Sequence, residues 1–223
     1  MTYIPILAAL ILAILNWIAA DRKLKTVEYI TKPATMLALL WWMWSSVGLG
    51  GDVLWFTLGV IFCLAGDVFL MLPRDMFIFG LIAFLIGHVC YTIGFNNQPP
   101  YINPWGLLII VALGIFVGWL YPKIAGGLAS KGKNQLRFPV LIYSLVISAM
   151  VYSALMTWFR SGWPAAAALS ASIGALLFFT SDSFLAWDRF VNPLSHARLR
   201  TMVTYHLGQF GIVLGAILYL TNK

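Results

Sequence analysis

Two acidic residues stand where charge is costly. Asp67 lies in Leu64-Ala65-Gly66-Asp67-Val68-Phe69-Leu70 and Asp182 in Phe179-Thr180-Ser181-Asp182-Ser183-Phe184-Leu185, each inside a long apolar run. An Asp at the centre of a membrane helix costs about 2.5–3.5 kcal/mol on insertion scales, and less near the interface, so a working role is the default expectation. The other five acids (Asp21, Glu28, Asp52, Asp75 and Asp188) fall in predicted loops or at span ends, where a charge meets water. Two carboxyl groups at one site can divide acid–base chemistry between them. One, held protonated, donates a proton, while the other, left ionised, steadies a developing cation and activates water. The competing explanation is a structural polar network in which each Asp pairs with a Lys, Arg or His only to survive burial.

The elements that must position these residues are membrane helices. Of the 223 residues, 61% are hydrophobic and 9% charged, and the mean hydropathy is +0.90, too little polar surface for a soluble domain of this length. About 20 mostly apolar residues cross the hydrocarbon core. Eight stretches approach that length: 4–20, 33–49, 53–72, 76–96, 104–121, 138–159, 164–187 and 199–220. The expected fold is all-α, one polytopic transmembrane domain over residues 1–223. Pro33, Pro104 and Pro164 mark helix starts, and Pro73, Pro99, Pro100, Pro122 and Pro193 fall in connections. The first run is followed, not preceded, by Arg22, Lys23 and Lys25, so it reads as a retained span rather than a signal peptide.

Charge fixes the expected orientation. Twelve of the 14 Lys and Arg residues lie in loops after spans 1, 3, 5 and 7, and only Arg160 and Lys223 lie on the other side. The positive-inside rule then puts both termini outside and the odd-numbered loops in the cytoplasm, in the inner membrane if the source is bacterial. The net charge of +7 is spread over these loops instead of forming a basic face, so anionic lipid headgroups, not nucleic acid, are the expected partners.

Depth brings the two acids together. Asp67 precedes Pro73 by six residues and Asp182 precedes Asp188 by six, on spans running the same way; at 1.5 Å per residue both sit about 9 Å inside the cytoplasmic boundary. His206, with Tyr205 beside it, enters this layer from span 8, and His88 and Tyr91 lie one or two turns deeper on span 4. Each Asp-bearing span is followed by one with a buried His, which suggests two parallel four-helix halves facing each other across one cavity. Gly114–Gly118, Gly211–Gly215 and the series Gly80, Gly87, Gly94 read as close helix packing. Trp41, Trp42, Trp44, Trp158 and Trp163 read as an interfacial belt, and Cys63 and Cys90 as packing residues.

At these positions the chain resembles the YhhN-like lysoplasmalogenase family of integral membrane hydrolases. The resembling stretches are Lys32-Pro33, Gly66 to Leu72, Phe77 to Phe95 with Phe84, His88 and Tyr91, and Tyr143 to Met156. They continue through Ser181 to Leu185, Arg189-Phe190 and Thr204 to Gln209. Span 8 departs from the family pattern, with His206 and Gly208 where an aromatic residue and Ala are expected. The resemblance implies a lysophospholipid substrate, cleavage of its vinyl ether to a fatty aldehyde and a glycerophospho-alcohol, and no cofactor. Asp67 and Asp182 are then the catalytic pair, neither assigned to one role. Lys32 is placed to hold a phosphate headgroup or to bias one Asp. His88, Tyr91, Ser183, Tyr205, His206 and Gln209 are candidates to position substrate or water.

Two other classes remain open. A zinc-dependent lipid hydrolase of the ceramidase and adiponectin-receptor type would need three histidines, and the spans hold only His88 and His206, so an Asp would have to serve as ligand. A proton-coupled transporter would use intramembrane Asp and His as a relay, with Gly- or Pro-broken helices at midplane.

Overall fold

The computed structural model describes residues 3–73, 76–97 and 104–222; Arg74, Asp75, Pro99, Pro100 and Lys223 lie outside them. Among the described residues eight α-helices follow one another: α1 (Tyr3–Asp21), α2 (Lys25–Val47), α3 (Leu54–Met71), α4 (Phe77–Phe95), α5 (Pro104–Ser130), α6 (Arg137–Met156), α7 (Ala165–Ala186) and α8 (Ala197–Thr221). The connections are short, and α7 runs on into a π turn, Trp187–Val191. Seven of the helices are long and apolar enough to cross a membrane. The remaining one, α2, carries Lys25, Glu28 and Lys32 in its first turns.

That polar start corrects the expected beginning of span 2. Pro33 lies inside α2, not at its start, and the helix begins at Lys25. A proline removes one backbone bond and crowds the preceding turn, which a packed membrane helix tolerates. Here the added turns are held by side chains: Glu28 is ion-paired with Arg198 of α8, and Lys32 with Asp67 of α3. Glu28 is therefore buried, not in a loop. Pro122 likewise lies inside α5, not in a connection.

Small residues set the closest packing. A Cβ on Gly211 would stand 2.6 Å from Gly174 Cα, and one on Gly87 3.2 Å from the Gly59 carbonyl oxygen, so α7 with α8 and α3 with α4 bring their backbones close together. The expectation for Gly114 and Gly118 fails. Nothing among the described residues lies within 4 Å of a Cβ at either, because α5 stands at the edge of the bundle with only Gly106, Leu120, Ile124, Ala125 and Leu128 buried. Two tryptophans also leave the expected belt. Trp42 and Trp163 are buried, the latter stacked on Tyr219 at 4.3 Å between ring centroids, while Trp41, Trp44 and Trp158 stay exposed.

The neighbour pattern has an internal echo. α2 packs on α3 and α8, and α6 packs on α7 and α4, as exchange of the first four helices for the last four would require. The outer helices differ, since α1 lies along α2 and against α8 while α5 stands off.

Candidate active site

Asp67, near the C-terminal end of α3, is held by both of its oxygens. Oδ1 lies 2.9 Å from Lys32 Nζ of α2, and Oδ2 accepts a 2.7 Å hydrogen bond from the Tyr205 hydroxyl of α8. Lys32 also sits 5.7 Å from the centroid of the Tyr205 ring. The pair is almost fully enclosed, the Asp67 side chain being 1% exposed. A charge this deep needs both an opposite charge and hydrogen bonds, and α2 and α8 supply them.

Asp182, on α7, has a parallel arrangement with different chemistry. The Tyr143 hydroxyl of α6 donates to its Oδ2. His88 Nε2 of α4 lies 2.9 Å from that hydroxyl and 3.4 Å from Asp182 Oδ2. With the Tyr143 proton directed at the carboxylate, the Nε2–H tautomer of His88 completes a donor chain, His88 to Tyr143 to Asp182. At 16%, the Asp182 side chain is far more exposed than that of Asp67. Rings fill the space between the two clusters: Phe178 meets His88 edge-on at 4.7 Å and Tyr205 at 5.2 Å.

Both carboxylates line one polar chamber of about 450 Å³. Lys25, Glu28, Lys32, Asp188 and Arg198 also line it, so a cationic and anionic rim surrounds a site whose inner wall is aromatic. Among the described residues no group of three or more His, Cys, Asp and Glu side chains converges as a metal-ligand set.

Residues 27–216 match the YhhN family. The chain belongs to the YhhN family. Relatives include lysoplasmalogenase TMEM86B of Mus musculus, 33% identical over 216 residues covering 96% of this chain and 85% of that protein. The Rattus norvegicus protein of the same name is 31% identical over 214 residues, 96% of this chain and 82% of that one. The uncharacterized membrane protein YhhN of Escherichia coli O157:H7 is 28% identical over 188 residues, 83% of this chain and 85% of its own. No solved structure matches.

In this YhhN-family chain the other sequence-predicted site residues divide. Lys32, Tyr205 and His88 join the carboxylates directly. Tyr91 donates a 2.6 Å hydrogen bond to Gln209 Oε1, a buried tie between α4 and α8 that does not line the chamber. Ser183 donates to Phe179 O at 2.7 Å and faces an apolar groove beside the chamber. His206 corrects its expected place: it turns toward α1, where its Nδ1 accepts from Trp17 Nε1 at 3.0 Å. It directly follows Tyr205 in the chain, and the ~100° helical step sends the two side chains to different neighbours.

Sequence reasoning missed Tyr143, Glu28 and Arg198 as site residues. A buried tyrosine in an apolar span must find a partner for its hydroxyl, which was the available signal for Tyr143. Glu28 and Arg198 were hidden once Pro33 was read as a helix start.

Proposed function

We propose that this protein hydrolyses the vinyl ether bond of a lysoplasmalogen, releasing a fatty aldehyde and a glycerophospho-alcohol. The observation that carries this reading is the meeting of two intramembrane carboxylates at one chamber, one ion-paired and one at the end of a donor chain. The mammalian relatives named lysoplasmalogenase support the substrate class, and the cations Lys25 and Arg198 that line the chamber can meet a phosphate headgroup.

A vinyl ether is protonated at its outer alkene carbon, giving an oxocarbenium ion. Water adds to the carbon attached to oxygen, and the resulting hemiacetal collapses to aldehyde and alcohol. One water is consumed, and the proton delivered at the start is returned when water loses its own. Asp182, the more accessible carboxyl, is the proton donor, resupplied through Tyr143 and His88. Asp67 remains the carboxylate, its charge held by Lys32, and stabilises the cation electrostatically within the enclosed chamber. The order resembles glycoside hydrolysis, in which two carboxyl groups flank an oxocarbenium-like transition state.

Lys25 and Arg198 line the chamber at the starts of α2 and α8, so in this reading it opens to the cytoplasm. The test uses purified protein in detergent and a lysoplasmenyl lipid in deuterated water. The expected product is aldehyde carrying one deuterium on the carbon next to the carbonyl. No aldehyde sinks the proposed activity; aldehyde without that deuterium sinks protonation at carbon.

A further inference from the structure

Beside the polar chamber lies a second, apolar recess between α4, α5, α6 and α7. Four residues line both spaces: Leu70, Phe84, Asp182 and Leu185. Asp182 is therefore the point at which a polar compartment passes into an apolar one. The recess is small, about 70 Å³, and has room for a few methylenes of a single chain. Its wall toward the bilayer is α5. That helix is fixed at its C-terminal end, where Gly127 meets the Phe190 carbonyl and Lys131 donates to Arg189 O at 2.7 Å. Further out, Leu107, Leu108, Val111 and Ile115 are exposed.

The amphiphile that the proposed reaction consumes has the same division as these two spaces. Its headgroup and glycerol are polar, its chain is apolar, and the reacting vinyl ether joins them. Placing that junction at Asp182 puts the headgroup in the chamber and the chain in the recess, with apolar burial favouring this orientation over its reverse.

Resting on the vinyl-ether reading above, we propose that the recess between α4, α5, α6 and α7 is the subsite for the substrate's single hydrocarbon chain, reached sideways from the bilayer past α5. Val117 of α5, Ile147 and Phe179 line the recess, the last two about one helical turn along α6 and α7 from Tyr143 and Asp182. From Tyr143 to Ile147 is one helical turn, about 6 Å of rise, so the walls read the first four or five methylenes and the remainder of a long chain continues into lipid.

The experiment compares full-length wild type with Val117→Trp, using lysoplasmenyl lipids whose alkenyl chains have four or sixteen carbons. Val111→Trp, on the exposed side of the same helix, is the control. A filled recess lowers kcat/KM for the long chain by about tenfold or more and leaves the short chain within about twofold of wild type; Val111→Trp changes neither. An equal loss on both chains, or no loss on either, overturns the proposal. Photolabelling with a single-chain lysophospholipid carrying a diazirine near the head of its chain gives a readout that does not require turnover. Adducts on Val117, Leu120 or Phe179 are expected, and adducts confined to exposed residues such as Ile115 overturn the subsite. Absence of aldehyde from wild type with correct labelling would instead refute the reaction and leave the chain site standing.

Discussion

Removing the Lys32 ammonium should damage the protein in a way that a second substitution repairs. In Lys32→Met the Asp67 carboxylate keeps its burial, 1% exposed, but loses the cation 2.9 Å away. At an effective dielectric of 20, two unit charges at this distance attract by about 6 kcal/mol. Part of that offsets the desolvation of both groups, so the expected net loss on breaking the pair is about 3–5 kcal/mol. Tyr205 still donates to Asp67 Oδ2, which favours the lower half of that range. The double variant Lys32→Met/Asp67→Asn carries no stranded charge and should recover most of the stability, giving a coupling of about 2–4 kcal/mol in a double-mutant cycle. Reversible unfolding in detergent micelles measures the cycle, and aldehyde release measures activity, which stays lost in both variants. Lys32→Met within about 1 kcal/mol of wild type, or a double variant as unstable as the sum of the singles, would refute the view that this pair holds a buried carboxylate.

Three further outcomes follow from the geometry. Tyr143→Phe cuts the donor chain to Asp182, and kcat should fall about tenfold to a hundredfold with an altered pH–rate profile and little change in KM; an unchanged profile would remove Tyr143 from proton delivery. His206→Leu should lower the thermal midpoint through its lost bond to Trp17 while kcat stays within about twofold of wild type; a large loss of turnover would place His206 in the chemistry. Gly174→Ala puts a methyl 2.5 Å from Ile212 N and should destabilise by about 1–3 kcal/mol, whereas Gly118→Ala, with nothing within 4 Å, should be neutral. Equal effects in the two would contradict the packing described for α7 and α8.

The two aspartates were legible because an acid in an apolar run is a local contradiction that residue type alone exposes. Their common chamber was legible from depth counting, since rise per residue is the same in every helix. Rotation about the helix axis was less so. Tyr205 and His206 share a depth, but only packing against α1 and α3 decides which of them meets Asp67. The same limit applied to the glycines: Gly114–Gly118 and Gly211–Gly215 have one spacing, yet only the second pair has a helix against it. Proline was the most misleading signal. Pro33 reads as a start in isolation, while the ion pairs of Glu28 and Lys32, made to residues far along the chain, extend α2 backward by two turns and bring the cations over the site. Tyr143 escaped notice because tyrosine is ordinary in a membrane span, and its importance comes from lying between His88 and Asp182.

Aldehyde release by Asp67→Asn and Asp182→Asn, each checked for a folded, monodisperse state in detergent, tests the paired-carboxylate chemistry most directly. The account predicts that each amide nearly abolishes turnover of a lysoplasmenyl lipid while the protein stays folded. Turnover near the wild-type rate in either variant would contradict it.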